Sequence, residues 1–359
     1  MPHKLFYAII HIGGDILEIK LLSPKDTTVV EILPPLQNQI LSELPVGDDI
    51  VECSFDWRAP SATESENSAP RYINFSWGLF GSLAGVISIS LLISQDNDFS
   101  NYVEHPIMPG QAFMSINNFK RNTTYFWKVV AFGVSGVVCE SDVATFKTSN
   151  ALPQWYKLPG VTNFRDIGGW MTDSGFPVKE GLIFRGSQVG LRDENPDELL
   201  SFLQNNLKIK TQIDLRFDDE IRPFNKLIPN ADYYRFSILP YNAISNDKEK
   251  EKILKIFKIF SNRDSYPVYL HCYAGADRTG TIAALIKFLL GVSADDIAID
   301  YELTSLCPFG MRCRSHEMYT AFLEYLLTLG NTYKEGAENY LLSCGVSKQE
   351  IQSIREILL

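Results

Sequence analysis

The chain has 359 residues, 45% of them apolar and 21% charged, enough for a sizeable core and, at roughly 100–200 residues per domain, for two domains. Its net charge of −10 and pI of about 5.1 exclude a general attraction to nucleic acid or to an anionic membrane surface. An anionic substrate must therefore be met by a locally positive site.

In chain order, Leu5 to Ile12 is a short apolar run that ends at Gly13-Gly14-Asp15 with no small-residue cleavage pattern. It reads as a strand, not a signal peptide. No stretch approaches the roughly 20 apolar residues of a membrane span. Strand-like pieces at Ile16–Leu22 and Val29–Leu33 flank Ser23-Pro24-Lys25-Asp26, so residues 1–60 read as a strand-rich extension. The polar stretch Ser61 to Ala69 reads as a linker or exposed loop.

Residues 61–150 carry a strand pattern. Ile73–Trp77 is short; Val86–Ser94 alternates, with Ile87, Ile89, Leu91 and Ile93 opposite Ser88 and Ser90; Thr124–Phe132 puts Tyr125, Trp127, Val129 and Ala131 on one side. Val143–Thr148 closes the series. Turn residues between the runs suit an all-β sandwich. The strand Tyr125-Phe126-Trp127-Lys128-Val129 and the closing Thr145-Phe146-Lys147-Thr148 resemble a fibronectin type III domain, which implies a spacer or docking role. Asn74-Phe75-Ser76 and Asn122-Thr123-Thr124 have the form of glycosylation sequons but fall on strand positions.

From 151 to 359 strands and helices alternate. Lys210–Leu215, Tyr234–Leu239 and Val268–Leu270 read as strands. Lys248–Phe260 is an amphipathic helix with Ile253, Ile256, Phe257 and Phe260 on one face. Thr279–Leu290 reads as a buried helix, with further helices at Asp295–Thr304, Ser315–Leu329 and Lys348–Leu358. The pattern predicts an α/β domain with a central sheet flanked by helices.

The chemistry concentrates in His271-Cys272-Tyr273-Ala274-Gly275-Ala276-Asp277-Arg278-Thr279-Gly280, between a short apolar strand and a long helix. The free N–H groups of a helix's first turn, reinforced by its dipole, make an anion site there. Gly275 lets the backbone approach the anion, and Gly280 allows close packing. Only a thiolate is a useful nucleophile, and a helix N-terminus with a nearby Arg favours the thiolate. Arg278 can hold two phosphate oxygens with its guanidinium fork. These residue types imply in-line phosphoryl transfer to Cys272 and hydrolysis of the phosphocysteine. Thr279 can donate its hydroxyl to the sulfur, and His271 can order the loop.

This segment resembles the phosphate loop of the protein tyrosine phosphatase superfamily: His-Cys, five residues, Arg-Thr. Asn163-Phe164-Arg165-Asp166-Ile167-Gly168-Gly169, Ile183-Phe184-Arg185-Gly186-Ser187, Ile213-Asp214-Leu215-Arg216 with Glu220, and Asp300-Tyr301 resemble its bacterial-type branch, which includes dual-specificity and phosphoinositide-active members. The resemblance covers residues 155–358. It implies a phosphorylated protein or peptide as substrate, with the loop backbone from Tyr273 to Gly280 binding the phosphate. Many relatives carry Lys just before the loop Asp; Ala276 stands here, which lowers the case for substrates with several phosphates.

The general acid is read as Asp277, with Asp247 as the alternative. Asp277 lies inside the loop, and can equally serve only to order it. Asp247 can reach in only if its segment folds over, because no Asp directly follows Pro240. Arg165 and Asp166 can line the pocket or order it, and Arg185 is similar. Asp214 and Arg216 read first as structural hydrogen bonds at a strand end.

Six cysteines, at 53, 139, 272, 307, 313 and 344, form no CxxC pair and no zinc pattern. Apart from Cys272 they read as free thiols in a reducing, cytoplasmic setting. No metal or cofactor is implied. Competing readings are a phosphoinositide or inositol phosphate phosphatase on the same scaffold, a non-catalytic binder of phosphorylated partners, and rhodanese-like sulfur transfer.

Overall fold

A computed structural model of the chain describes residues 16–26, 28–34, 37–38, 68–189, 196–220, 228–307, 309 and 312–359. The predicted strand at Leu5–Ile12, most of the linker and Cys53 lie outside these. Contacts group the described residues up to Leu33 with Pro70–Ala151 as one unit, and Leu152–Leu359 with the second.

The first unit is all β: β1 (Glu18–Ser23), β2 (Thr28–Val30), β3 (Ile73–Phe80), β4 (Ser88–Ser94), β5 (Tyr102–Ile107), β6 (Phe113–Ile116), β7 (Thr124–Gly133), β8 (Gly136–Glu140) and β9 (Ala144–Thr148). One sheet runs β1-β3-β6; the other runs β2-β9-β7-β4-β5, with β8 alongside β7. Ile19, Ile73, Phe75 and Trp77 of the first share a core with Leu91, Ile93, Trp127, Val129 and Phe146 of the second. Phe75 meets Trp127 edge-on at 5.1 Å, the geometry aromatic quadrupoles prefer.

The separate extension expected over residues 1–60 is corrected for its described part. β1 pairs antiparallel with β3 and β2 pairs parallel with β9, so both strands belong to the sandwich. Their partners lie far along the chain, where no local pattern points. In β4, Ile87 stands just outside the strand and is 68% exposed, whereas Ser90 and Ser94 are buried. Their hydroxyls donate to Glu104 Oε1 and Asn101 O at 2.7 and 2.5 Å. β5 was not foreseen because it is mostly exposed and carries Pro106, as an edge strand can.

The second unit contains β10 (Arg165–Asp166), β11 (Ile183–Gly186), α1 (Pro196–Ser201), β12 (Thr211–Asp214), β13 (Asp232–Arg235), α2 (Asp247–Phe260), β14 (Val268–His271), α3 (Asp277–Leu290), α4 (Ala294–Glu302), α5 (Glu317–Leu327), α6 (Tyr333–Ser343) and α7 (Lys348–Leu358). The sheet order is β10-β11-β14-β12-β13. All pairs are parallel except β10 with β11. β14 therefore sits in the middle, between β11 and β12. Val268 and Leu270 join the core with Ile256, Phe257 and Ile282. Tyr269 turns to the other face and packs with Phe164 and Phe184. In such sheets ligands bind at the carboxyl ends of the strands, and there β14 runs into the segment from Cys272 to Ala276.

α3 is buried from Thr281 to Leu290. It ends at Gly291, whose φ of 86° and N–H bonds to the Lys287 and Phe288 carbonyls form a left-handed cap. β13 begins at Asp232, two residues before the predicted Tyr234. The helix predicted to reach Thr304 ends at Glu302 and tightens into a 3-10 turn, Leu303–Leu306. α6 was missed because Gly336 lowers its helix propensity. Packing wins there, since a Cβ at 336 would collide with the Leu326 carbonyl. No described helix is long and apolar enough to cross a membrane.

Cys139, Cys272, Cys307 and Cys344 are free. Cys313 is disulfide-bonded, which corrects the expectation of free thiols at that position. Pairing depends on the distance between two Cα atoms in the fold, which spacing in the sequence does not report.

Candidate active site

Cys272 directly follows β14 and is 2% exposed. The four carbonyls after it are tied away from the loop's centre. Gln188 N–H donates to Tyr273 O at 3.0 Å, and Asn163 Nδ2 donates to Ala274 O at 3.1 Å. Arg185 Nη2 donates to Gly275 O at 2.7 Å and Ala276 O at 3.2 Å. In a trans peptide the C=O and the following N–H point in opposite directions. The N–H groups of Ala274, Gly275, Ala276 and Asp277 therefore turn the other way. Among the described residues, those of Ala274 to Ala276 have no hydrogen-bond partner. A row of convergent N–H groups running into a helix N-terminus is an anion cradle. Gly275 is required there: its φ is +68°, and a Cβ would collide with Gly186 O.

Arg278 points its fork at Glu220, with Nη2 to Oε1 at 2.8 Å and Nη1 to Oε2. Its guanidinium lies 4.4 Å from the Phe217 ring centroid. The Arg278 hydrogen bonds hold the Glu220 carboxyl below its ordinary value. Thr279 Oγ1 is buried and, among the described residues, has no hydrogen-bond partner.

His271 is fully buried and stacked on Tyr269 at 5.1 Å. Gln212 Nε2 lies 2.9 Å from its Nε2, while Nδ1 faces Cys272 O at 3.4 Å and Asp214 Oδ1 at 3.9 Å. Asp214 grips Arg216 (Nε to Oδ1 2.9 Å, Nη2 to Oδ2 2.6 Å) and accepts from Tyr233 O–H at 2.8 Å. Burial pushes the Asp214 carboxyl up, but the Arg216 hydrogen bonds and His271 outweigh it and lower it to about 2. Burial lowers His271 from 6.5 to about 4. The folded value lies below the unfolded one, so the unfolded chain takes the proton first. The stability from His271 is full above about pH 6.5 and is lost as pH falls toward 4. At about 1.4 kcal/mol per pH unit the loss is about 3 kcal/mol. Urea unfolding near pH 7 and near pH 4.5 should show a smaller loss for His271→Gln than for the wild type; equal losses would refute this account.

Arg165 and Asp166, expected to line or order the pocket, are both buried in β10. Arg165 Nε donates to Asp300 Oδ1 at 2.6 Å, and its guanidinium lies over Trp155 at 4.8 Å. Asp166 accepts from the N–H groups of Gly168 (2.8 Å) and Gly181, and burial pushes its carboxyl up to about 7. Asp300 also receives Arg185 Nη1 at 2.7 Å and Lys287 Nζ at 2.9 Å. Burial raises the Asp300 carboxyl, but the three cations outweigh that and hold it far below its ordinary value. Burial lowers Arg185 to about 10 and Lys287 to about 8. Three cations share one carboxylate, and one of them, Arg185, also binds the loop's carbonyls.

Asp277 opens α3. Its Oδ1 and Oδ2 accept from Arg312 Nε and Nη2 at 2.8 and 2.9 Å. Tyr241 O–H also donates to Oδ1, and the Tyr241 and Tyr301 hydroxyls lie 2.9 Å apart. Burial pushes Asp277 up, but the Arg312 and Tyr241 hydrogen bonds outweigh it, so the carboxyl sits below its ordinary value. The other acid candidate, Asp247, is 97% exposed at the start of α2 and pairs with Lys250.

A family model described as the tyrosine phosphatase family matches residues 156–359. The chain belongs to the tyrosine phosphatase family. A tyrosine-protein phosphatase of Nostoc commune is 27% identical over 224 residues, covering 50% of this chain and 74% of its own. The triple specificity protein phosphatase PtpB of Mycobacterium tuberculosis is 26% identical over 210 residues, covering 45% of this chain and 73% of its own. The core catalytic domain of the PP-IP phosphatase SIW14 from S. cerevisiae, solved with citrate, aligns at 25% identity. It covers 34% of this chain and 70% of its own, with a TM-score of 0.26.

In this tyrosine phosphatase the sequence reading missed Tyr241, Lys287 and Arg312. Arg312 and Arg314 form a small basic cluster in an acidic chain, the one local signal that was present. Arg314 instead pairs with buried Glu302 at 2.8 and 2.9 Å. Lys287 looks like a stray polar residue in an apolar helix until Asp300 is placed beside it. Tyr241 follows the Pro240 where an Asp was sought.

Proposed function

We propose that this protein tyrosine phosphatase acts through Cys272. The substrate's phosphate sits on the N–H groups from Ala274 to Asp277 and on the Arg278 fork. The Cys272 thiolate attacks phosphorus, the bond from phosphorus to the aryl oxygen breaks, and Asp277 gives its proton to the leaving oxygen. Water then attacks the phosphocysteine; its proton passes to the Asp277 carboxylate, and inorganic phosphate and the thiolate are released. The Thr279 hydroxyl donates to the sulfur as it leaves. His271, Asp214, Arg216, Arg165 and Asp166 hold the loop and its neighbours in place and do not touch substrate. The observation that carries the reading is the tying of four loop carbonyls outward beside Cys272 and Arg278.

Two features favour phosphotyrosine over inositol phosphates. Ala276 offers no cation for a second phosphate. Tyr273, 42% exposed beside the cradle, packs edge-on with Phe309 at 6.0 Å, which gives a flat ring an aromatic neighbour. The enzyme should hydrolyse p-nitrophenyl phosphate in the presence of a chelator, be blocked by vanadate, and turn over phosphotyrosine peptides at least about tenfold faster than phosphoinositides, about 1.4 kcal/mol in the barrier. A reversed order of rates would replace phosphotyrosine by an inositol phosphate as the substrate.

A further inference from the structure

The groups around the Asp277 carboxylate come from four places: Arg312 after the turn Leu303–Leu306, Tyr241 from the turn Tyr241–Ser245, Tyr301 of α4 through Tyr241, and the adjacent Arg278. Arg312 is itself fixed. Its N–H donates to Ser305 Oγ at 2.7 Å, its carbonyl accepts from the same hydroxyl at 2.9 Å, and Nη1 donates to Phe309 O at 3.1 Å. Its fork therefore arrives at Asp277 in a set orientation, with two parallel bonds to one carboxylate.

A carboxyl group that donates a proton must first carry one. Two charge-assisted bonds from a guanidinium favour the ionised form, and the Tyr241 hydroxyl on the same oxygen acts in the same direction. The burden falls on reactions whose leaving oxygen needs that proton most. A p-nitrophenolate departs with little help, while a phenolate or an alkoxide does not.

We propose that Arg312 is a positioning residue that clamps the Asp277 carboxylate beside the phosphate loop and thereby sets the pH range over which Asp277 can protonate the leaving group. The inference rests on the reading of Asp277 as the acid. It places part of the control over leaving-group protonation in a residue outside the loop.

The test is the pH dependence of kcat on phenyl phosphate and on p-nitrophenyl phosphate for the full chain and three variants. On phenyl phosphate the wild type should lose activity on the basic side. Arg312→Gln removes the charge, so Asp277 keeps its proton to higher pH, and the basic limb should move up by about one pH unit or more. Arg312→Lys keeps the charge but loses the fork, so its limb should move in the same direction by less; it also serves if the Gln variant does not fold. On p-nitrophenyl phosphate the limb should be shallow throughout. Asp277→Asn should lose the limb and most activity on phenyl phosphate. If the Arg312 variants lose activity equally at every pH with the limb unmoved, the clamp is refuted while Asp277 stands. If Asp277→Asn keeps both the limb and its activity on phenyl phosphate, the acid assignment itself fails.

Discussion

Cys272→Ser should abolish turnover, by at least about a thousandfold in kcat, while leaving a folded protein that still binds phosphotyrosine peptides. The asymmetry follows from the structure of the loop. What shapes the cradle is the set of ties to the carbonyls of Tyr273 to Ala276, made by Gln188, Asn163 and Arg185. None of them involves the Cys272 side chain. A serine hydroxyl fits the same volume but does not ionise near neutral pH. Single-turnover and equilibrium binding measurements on the same preparation separate the two effects. Retained turnover in the variant would end the nucleophile assignment, and lost binding with a native fold would show that the cradle's shape depends on the Cys272 side chain.

Arg278→Lys should lower kcat/KM by about tenfold to a hundredfold and weaken vanadate inhibition in parallel. A charge-assisted hydrogen bond contributes about 1.5–3 kcal/mol, and a lysine cannot present two parallel N–H groups to one phosphoryl group. The fork holds both oxygens of Glu220, and the Arg278 guanidinium lies over the Phe217 ring. A bound phosphate must share or take over that fork, so part of its binding energy replaces the Glu220 contact. Steady-state kinetics with vanadate as the competing anion check the expectation. Unchanged constants would mean that the backbone N–H groups alone hold the phosphate.

The central element of the site was legible because it is contiguous. Cys272, Gly275, Arg278 and Thr279 lie within eight residues between a strand and a helix, so their juxtaposition is a consequence of local geometry. The amphipathic pattern of residues 248–260 likewise placed Ile253, Ile256, Phe257 and Phe260 in the core, where all are fully buried. Arg165 and Asp166 were visible as a motif, but their partners were not. Arg165 reaches Asp300, 135 positions on, and Asp166 reaches Gly181.

The sequence alone therefore determined the place of the Cys272–Thr279 loop between a strand and a helix, the α/β class of the second unit and the strand character of the first, because each depends on a period or spacing shorter than about one element. Only the tertiary structure decided that β1 and β2 complete the sandwich, that Arg185 holds the loop carbonyls, and that Asp300 gathers three cations. It alone brought Arg312 to Asp277. Those pairings join charges and strand edges that lie far apart along the chain. They form because a buried charge must be paired and a strand's backbone groups must be hydrogen-bonded, and which partner does so is settled by the path of the fold.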